Sequence, residues 1–326
     1  MKTMESIKMD SKLKVLYIGL NFYHYPKVIA EGLENLGFQV DFFPIEPPTA
    51  SYKLARYVKK FRKISLDRYH DEIITKSTSV KYDKVFFITT HFFSLENLKR
   101  LKETQTKAEF ISYHWDSIVS GFDYLNTVPF FDRVFTFDRV DCEEHNFRYL
   151  PLFASGIYSS IRQKKRNYDI DVYTVGSVYK LQRYFLVHEF KNFCVKNDIS
   201  IYVHLHLTLV TYIKLLLKGI IPKNVSLSAI DNNIMEDITF HSRAVLDVPN
   251  RPQSGLTMRI IENIAIGKKI VTTNLNIEKE PFYDKNQVFL LGKDNMDGLK
   301  EFLELDIEIQ ERSELMLDSW LKKIFL

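Results

Sequence analysis

Cysteine is scarce in this chain, and the few cysteines present have the wrong spacing for cross-links. The 326 residues contain only Cys142 and Cys194, which lie far apart and form no CxxC pair. A disulfide framework and a cysteine-based zinc site are therefore both disfavoured. We expect a protein that works in a reducing compartment.

Strong net charge is also missing, and so is a glycine-rich dinucleotide fingerprint. The formal net charge is +4, which is too small to indicate a nucleic-acid partner unless the charge is clustered. No GxGxxG follows an early strand, because the run LKVLYIGLNFYHY has a single glycine where three are needed. This weakens the interpretation of the chain as a Rossmann oxidoreductase.

Long hydrophobic runs are nearly absent. The opening MKTMESIKMDSK has charges of both signs and no apolar core, so we expect no secretion signal and a cytoplasmic protein. Only residues 201–221 resemble a membrane span, and they contain His204, His206, Lys214 and Lys218, which are costly in hydrocarbon. The segment predicts a buried strand followed by an amphipathic helix.

What the chain does have is alternation of strand and helix patterns over a length that suits two α/β domains. In the first half the apolar run at 13–19 predicts a buried strand, 25–36 a helix and 39–43 the next strand. Further strands are predicted at 84–89, 109–114 and 133–137, with a helix at 94–103 that begins at an N-cap serine. Such alternation is typical of a parallel sheet with helices on both faces.

The basic stretch RQKKRN at 162–167 interrupts the pattern, which then restarts. The predicted strands are 171–175, 199–206, 225–227, 244–248 and 269–273, and the predicted helices are 182–196, 208–218, 234–241 and 256–266. We therefore predict two Rossmann-like, doubly wound domains, 1–160 and 161–326, with an interdomain cleft. A closing C-terminal helix is expected to pack back on the first domain.

The most informative segment is 243–274, RAVLDVPNRPQSGLTMRIIENIAIGKKIVTTN. A strand, a Pro/Asn loop and a helix follow one another there, and a helix N-terminus at the carboxyl edge of a sheet attracts phosphate groups. The residues in a position to bind a phosphorylated ligand are Ser254, Gly255, Leu256, Thr257 and Arg259. On the same helix Glu262 falls beside the apolar stripe, where a carboxylate should have a partner.

This segment resembles the donor-binding motif of GT-B glycosyltransferases, and GLTMRIIE places Glu262 at the glutamate that binds the nucleotide ribose in that family. The chain resembles the CgeB-like and capsular-polysaccharide glycosyltransferase-like families more closely. The segments that carry this resemblance are QSGLTMRIIENIAIGKKIVTTN, FDRVFTFDRVDCEEHNFRYLPLFA and DIDVYTVGSVYKLQRY. Many retaining members carry a second glutamate eight residues earlier, where this chain has Ser254. Without the resemblance, Glu262 reads as an ordinary surface or capping glutamate.

A second candidate site follows a predicted strand that ends at glycine. Gly176 and Ser177 begin a predicted short loop. Lys180 precedes the predicted helix at 182–196, and Arg183 lies in its first turn. Cations and backbone donors there suit a diphosphate, and the resemblance implies that this loop faces the leaving diphosphate. The alternative is a turn glycine followed by solvated charges.

Acceptor-side residues are expected at the carboxyl ends of first-domain strands. His114 and Asp116 lie in SYHWDS, where either could hold or deprotonate an acceptor hydroxyl, and His24 follows the first strand. Asp116 could equally be a helix N-cap. The DxD at 169–171 opens a strand, so we expect no metal there, and the twice-occurring FDRV is explained by burial alone.

One basic segment stands out at 52–70, YKLARYVKKFRKISLDRYH, with seven Lys or Arg and one acid. Leu54, Tyr57, Val58 and Phe61 recur at helical spacing, which suits an anionic membrane surface. The alternative is a helix packed on the first sheet with a solvated basic side.

Together the patterns and the resemblance predict a metal-independent glycosyltransferase without a cofactor. Its partners would be a nucleotide-sugar donor, a glycan or lipid-linked acceptor of surface-polysaccharide synthesis, and an anionic membrane surface at the inner face of the cell membrane. The alternative hypothesis is a non-catalytic glycosyltransferase-like scaffold.

Overall fold

The structure is a computed structural model that describes residues 12–22, 24–55, 57–155, 168–228, 230–250, 253–308 and 310–326. The chain forms two compact units. The first contains the chain up to Phe137, Asp141–Leu150 and Leu321–Leu326; the second contains Asp138–Val140 and Pro151–Trp320. The basic stretch at 162–167, which the sequence suggests as a linker, lies outside the described residues.

A six-stranded parallel sheet organises the first unit. Its strands are β1 (Lys14–Gly19), β2 (Gln39–Pro44), β3 (Lys84–Ile88), β4 (Glu109–His114), β5 (Arg133–Thr136) and β6 (Arg148–Tyr149). They lie side by side in the order β2-β1-β3-β4-β5-β6, and every pairing is parallel. The order reverses between β1 and β3, which makes the loops after these two strands the expected ligand-binding edge.

Helices cover both faces of this sheet. They are α1 (Tyr25–Asn35), α2 (Ala50–Ala55), α3 (Lys59–Ser77), α4 (Leu95–Thr104) and α5 (Arg139–His145). Ser94 caps α4, because its hydroxyl accepts the N–H of Asn97, as the sequence predicts. On one face the core joins Leu16, Ile18 and Phe87 of the strands to Ile73 and Leu98 of α3 and α4.

The second unit repeats the design with another six-stranded parallel sheet. Its strands are β7 (Ile170–Val178), β8 (Ile201–Leu207), β9 (Val225–Ser226), β10 (Ser242–Asp247), β11 (Lys269–Thr272) and β12 (Val288–Leu290). Their order is β12-β11-β10-β7-β8-β9, which reverses between β7 and β10. Two Rossmann-like sheets are therefore present, as the alternating pattern predicts.

The helices that follow in the chain are α6 (Leu181–Lys196), α7 (Leu209–Leu217), α8 (Asn232–His241), α9 (Met258–Ala265), α10 (Leu299–Glu304) and α11 (Leu317–Phe325). In the second unit the ring of Trp320 packs 4.7 Å from that of Phe153. In the first unit Phe325 packs 5.4 Å from Phe38 and 5.1 Å from Phe86. Among the described residues no helix is long and apolar enough to cross a bilayer.

A buried lysine ties β11 to the end of α10. The side chain of Lys269 donates to the backbone carbonyls of Phe302, Leu303 and Leu305, and the contact to Leu303 measures 2.9 Å. These carbonyls lie in or just after the last turn of α10, where the helix itself supplies no donors. One ammonium group therefore caps the C-terminal end of α10.

We predict that Lys269→Met destabilises the protein by about 2 kcal/mol, because it removes the donor to the buried carbonyl of Leu303 and to the part-buried carbonyls of Phe302 and Leu305. Urea unfolding of the variant and of Lys285→Met, which changes an exposed lysine, measures the difference. Equal unfolding midpoints for the two variants would contradict the capping role.

Candidate functional site

A cavity of about 540 Å³ opens at the carboxyl edge of the second sheet. Its walls come from the start of α6 and from the loops that follow β10 and β11. The lining residues are Lys180, Gln182, Arg183, Leu186, Val248, Pro249, Asn250, Gln253, Thr273, Asn274, Leu275 and Asn276. The cavity therefore lies at the switch point of the strand order, and its volume is within the usual range for small-molecule sites.

Arg183 is the most unusual wall residue. It is only 4% exposed, and its Nη1 donates to the carbonyl of Ser177 at 2.6 Å. Its Nε and Nη2 have no acceptor among the described residues. Burial, and then the nearby charge of Arg259, lowers the pKa of Arg183 to about 10, so the guanidinium stays protonated at neutral pH.

A second guanidinium, that of Arg259, approaches Arg183 above Gly176. A Cβ placed on Gly176 would come within 2.5 Å of the Arg259 Nη2 and 2.9 Å of the Arg183 Nη2. The glycine is therefore needed for close approach of two cations. The predicted loop at this point is wrong, because β7 continues through Gly176 and Ser177 to Val178 and the extended backbone carries both residues inside the strand.

A buried carboxylate pairs with one of the two arginines. Asp247, fully buried at the end of β10, accepts the Nη1 of Arg259 at 2.6 Å, while Arg259 Nη2 donates to the carbonyl of Val175 at 2.5 Å. With exposed Lys180 the group carries three positive charges against one negative charge. Two net positive charges beside a cavity create a field that favours an anion.

The N-terminus of α6 adds partial positive charge to the same wall. This 16-residue helix begins at Leu181, and its N-cap residue Lys180 makes no side-chain capping bond. The first N–H groups of a helix have no partner within the helix and attract anions. Lys180, Arg183 and the helix end thus act in the same direction.

The Ser254-Gly255 loop is held by an aspartate that the sequence did not single out. The N–H groups of Ser254 and Gly255 donate to Asp138 Oδ2 at 2.8 and 3.1 Å, and the Ser254 hydroxyl donates to Oδ1 at 2.5 Å. The backbone donors expected to face a phosphate are therefore bonded to a buried carboxylate. Asp138 comes from the second FDRV, so burial alone does not explain that repeat.

The same repeat places a buried ion pair nearby in the second unit. Arg139 donates from Nε and Nη2 to the two carboxylate oxygens of Glu280, at 2.8 and 3.0 Å. Glu280 is almost fully buried, and a bidentate pair of this kind fixes both side chains in orientation. In the sequence, the signal for this ion pair was the Asp-Arg sequence that occurs at each end of the predicted strand at 133–137.

The helix α9 carries the remaining predicted donor-site residues. Thr257 caps the helix by accepting the N–H of Ile260, and its hydroxyl donates to Asp247 at 2.9 Å. Leu256 is buried, and Glu262 is only 5% exposed. Glu262 therefore faces away from bulk solvent, although it is outside the set of residues that line the cavity.

Three amide side chains of the cavity wall were missed by sequence reasoning. Asn250 donates to the carbonyl of Ser177 at 2.8 Å, and Gln253 and Asn274 each donate to the carbonyl of Gly255 at 3.0 Å. Asn250 therefore ties the loop after β10 to β7, and Asn274 ties the loop after β11 to the Ser254-Gly255 loop. Asn250 ends the run VPN at 248–250, and Asn274 ends the run VTTN at 271–274. These polar ends of apolar strands were the sequence signal for the two asparagines.

In the first unit the structure brings several predicted acceptor-side residues to the carboxyl edge of the sheet. The rings of Tyr25 and Trp115 pack edge to face at 5.7 Å, which connects the loop of His24 to that of Asp116. The 3₁₀ helix after Asp116 has Ser117 at its N-cap position, so the predicted capping role of Asp116 is wrong there.

His114 is the last residue of β4 and is almost completely buried. Its ring stacks on Tyr124 at 3.5 Å, and neither ring nitrogen has a hydrogen-bond partner among the described residues. Burial, helped by the nearby charge of His91, lowers the pKa of His114 to about 3. The imidazole is therefore neutral and weakly basic at physiological pH.

Sequence reasoning missed a strained pair at the end of β3. Thr89 has φ 61°, a left-handed conformation that β-branched residues rarely adopt, and its hydroxyl lies 2.6 Å from Nδ1 of His91. Backbone strain of this kind is common at binding sites. The pair lies beside the reversal of strand order, between β1 and β3.

Metal ligands are not assembled in the part of the chain that the structure describes, where no three His, Cys, Asp or Glu residues come together. Asp171 of the DxD accepts the N–H and hydroxyl of Ser200 at 2.8 Å and pairs with Arg243 at 3.3 Å. Its carboxylate therefore has structural partners. Neither Cys142 nor Cys194 forms a disulfide.

Comparison with known proteins gives structural neighbours but no sequence relatives. No protein-family model matches the chain, and no curated protein matches it. The α,α-trehalose-phosphate synthase (UDP-forming) from Burkholderia xenovorans, solved with glucose-6-phosphate, is similar with a TM-score of 0.58 and 11% identity, covering 95% of this chain and 98% of that chain.

Two further solved structures are similar over nearly the whole length. AviGT4, a glycosyltransferase involved in avilamycin A biosynthesis, has a TM-score of 0.56 and 12% identity, covering 96% of this chain and 93% of that one. The apo structure of OtsA has a TM-score of 0.55 and 10% identity, covering 96% and 98%. The chain therefore has the fold of the GT-B glycosyltransferases.

Proposed function

We propose that this protein is a glycosyltransferase that moves a sugar from a nucleoside-diphosphate sugar to a hydroxyl of a glycan or lipid-linked acceptor. The observation that carries the proposal is Arg183, a protonated and buried wall residue of the cavity with two guanidinium nitrogens that have no acceptor among the residues the structure describes. Buried donors of a cation that lack acceptors are costly, and a bound diphosphate would supply both the acceptors and further negative charge. The fold of the neighbours, two of which are named for sugar transfer, supports the same choice.

In the proposed reaction the acceptor oxygen forms a bond to the anomeric carbon while the bond from that carbon to the diphosphate oxygen breaks. The electron pair goes to the diphosphate, whose added negative charge is stabilised by Arg183, Lys180 and the N-terminus of α6. The proton of the acceptor hydroxyl goes to a base. These cations provide the charge stabilisation that a metal would otherwise provide, so we propose a reaction without a required metal.

We propose that Glu262 accepts hydrogen bonds from the ribose of the donor. Its burial supports a specific partner in preference to a solvated surface position. For the base, Asp116 and His24 are better candidates than His114, because the low pKa of the buried His114 makes it a poor proton acceptor.

A lipid-linked acceptor is favoured by the basic segment at 52–70. Leu54 and Tyr57 are each 76% exposed and Phe61 is 58% exposed, whereas Leu66 and Ile73 are the side chains of α3 that pack inward. The predicted apolar stripe therefore does not pack on the sheet. An exposed apolar surface with many cations suits an anionic membrane, and we propose that the first unit binds one there.

A non-catalytic glycosyltransferase-like scaffold is the second candidate function. It is favoured by the Ser254-Gly255 loop, where the position of an acid in many retaining enzymes is a serine whose hydroxyl and N–H both bind Asp138. A scaffold of this kind need not bind nucleotides or turn over a donor.

Incubation with a panel of nucleotide-sugars separates the two functions. We expect release of nucleoside diphosphate from at least one donor, with an unchanged rate when EDTA is added. Calorimetry with the matching nucleoside diphosphates should show binding. If the folded protein binds none of them and hydrolyses no donor, the glycosyltransferase proposal is wrong.

The variant Arg183→Gln should weaken binding of both a nucleoside diphosphate and inorganic diphosphate by about 10- to 100-fold, the scale of a charged hydrogen bond. Isothermal titration gives both constants. Lys196→Gln, which removes an exposed cation from the same helix, controls for overall charge and should bind like the parent protein. Equal affinities for the two variants would place the diphosphate elsewhere.

Glu262→Gln should separate ribose from phosphate recognition. We expect about 10-fold or greater loss of nucleoside-diphosphate affinity with unchanged affinity for inorganic diphosphate, because only the former carries a ribose. The matched control is Glu301→Gln, which changes an exposed glutamate of α10. A parallel loss for both ligands would show that Glu262 acts through the fold and not through the ribose.

A further inference from the structure

The helix α7 (Leu209–Leu217) turns an apolar face away from the core of the second unit. Only Thr211 and Leu215 of the helix are buried, and Leu215 is completely covered. Residues four apart lie on one face of a helix, so these two side chains define the inward direction. On an ordinary surface helix the opposite face would be polar.

The opposite face of α7 is apolar throughout. Ile213 lies at its centre, about half a turn from both buried residues, and Leu209 and Leu217 flank it. The exposed fractions are 61% for Leu209, 62% for Val210, 46% for Ile213, 45% for Leu216 and 82% for Leu217. Ile221, which follows the helix, is 75% exposed. We call these six side chains the α7 patch.

The sequence predicts a buried strand followed by an amphipathic helix at 201–221, and the structure has β8 followed by α7 there, but the outward face of α7 is apolar where a polar face was expected. The side of α7 that carries Thr211 and Leu215 is the buried one, and the larger apolar residues lie on the other sides. A contiguous exposed apolar surface of this kind marks an interaction site in most proteins.

Charge around the α7 patch indicates the partner. Lys214, Lys218 and Lys223 are exposed beside it, and no Asp or Glu occurs between Ile199 and Ile230. A second copy of the chain would bring two lysine-bearing surfaces together without a carboxylate of this segment to balance them, because a two-fold contact pairs each surface with itself. An anionic bilayer supplies both hydrocarbon for the leucines and negative headgroups for the lysines.

We infer that α7 is an interfacial membrane helix of the second unit. Its axis lies in the plane of an anionic bilayer, the α7 patch enters the boundary between headgroups and acyl chains, and the three lysines contact the headgroups. This surface lies on a different unit from the segment at 52–70. The inference does not depend on sugar transfer.

A fluorophore on the helix itself tests the insertion. In the full chain with Cys142→Ser, the environment-sensitive dye NBD is attached at Leu217→Cys; Cys194 is buried and stays unlabelled. We expect a blue shift and a severalfold rise in emission with phosphatidylcholine vesicles that contain phosphatidylglycerol, and a much smaller change with phosphatidylcholine alone. Val195→Cys, 63% exposed on α6, is the matched control and should not respond.

Charge variants test the headgroup contact. Lys214→Gln with Lys218→Gln should raise the concentration of anionic vesicles needed for half-maximal signal by about 25-fold, since each nearby lysine contributes about fivefold. Ile213→Gln with Leu216→Gln should abolish the blue shift while nucleoside-diphosphate binding stays unchanged. This separates failure of the membrane contact from failure of the proposed transferase.

Two results would overturn the inference. One is an absent or equal NBD response at positions 217 and 195 in anionic vesicles. The other is a blue shift that needs no lipid and grows with protein concentration, which would assign the α7 patch to a second copy of the chain.

Discussion

Close approach of two guanidinium groups to one strand is the constraint on which the second unit is built. Arg183 and Arg259 converge over Gly176, and Asp247 accepts a hydrogen bond from Arg259 as a counter-charge. Placing like charges together in a region with little water has a free-energy cost, and folding of the sheet must compensate for it. Such an arrangement is useful when an anion arrives, because the donors are already oriented and need no rearrangement.

The surrounding loops are held by hydrogen bonds that leave little freedom to the cavity wall. Asp138 accepts from Ser254 and Gly255, and Asn274 donates to the carbonyl of Gly255. These bonds join segments that are distant in the chain and orient the described part of the wall. A pre-formed wall reduces the entropy lost on binding, which is the usual benefit of preorganisation.

The strands and helices were largely predictable because their signals are local. Buried parallel strands such as β1 and β3 read as continuous apolar runs, and Ser94 marks the start of α4 through a bond to a residue three positions later. The predicted end of β7 was wrong, because a glycine suggests a turn when its neighbours in space are unknown. The structure shows that the neighbours are two arginine side chains, which require space and not a turn.

The sequence by itself determined the α/β class, the two-sheet organisation and the edge of the second sheet at which Lys180 and Arg183 meet a helix end. It could do so because strand, helix and capping preferences act over a few residues. Only the tertiary structure decided that Asp138 binds a loop 116 residues away, that His114 is stacked and weakly basic, and that α7 turns its apolar side outward. Periodicity gives the phase of a helix face but not the surface that it meets, and pKa values follow burial, which depends on the whole fold.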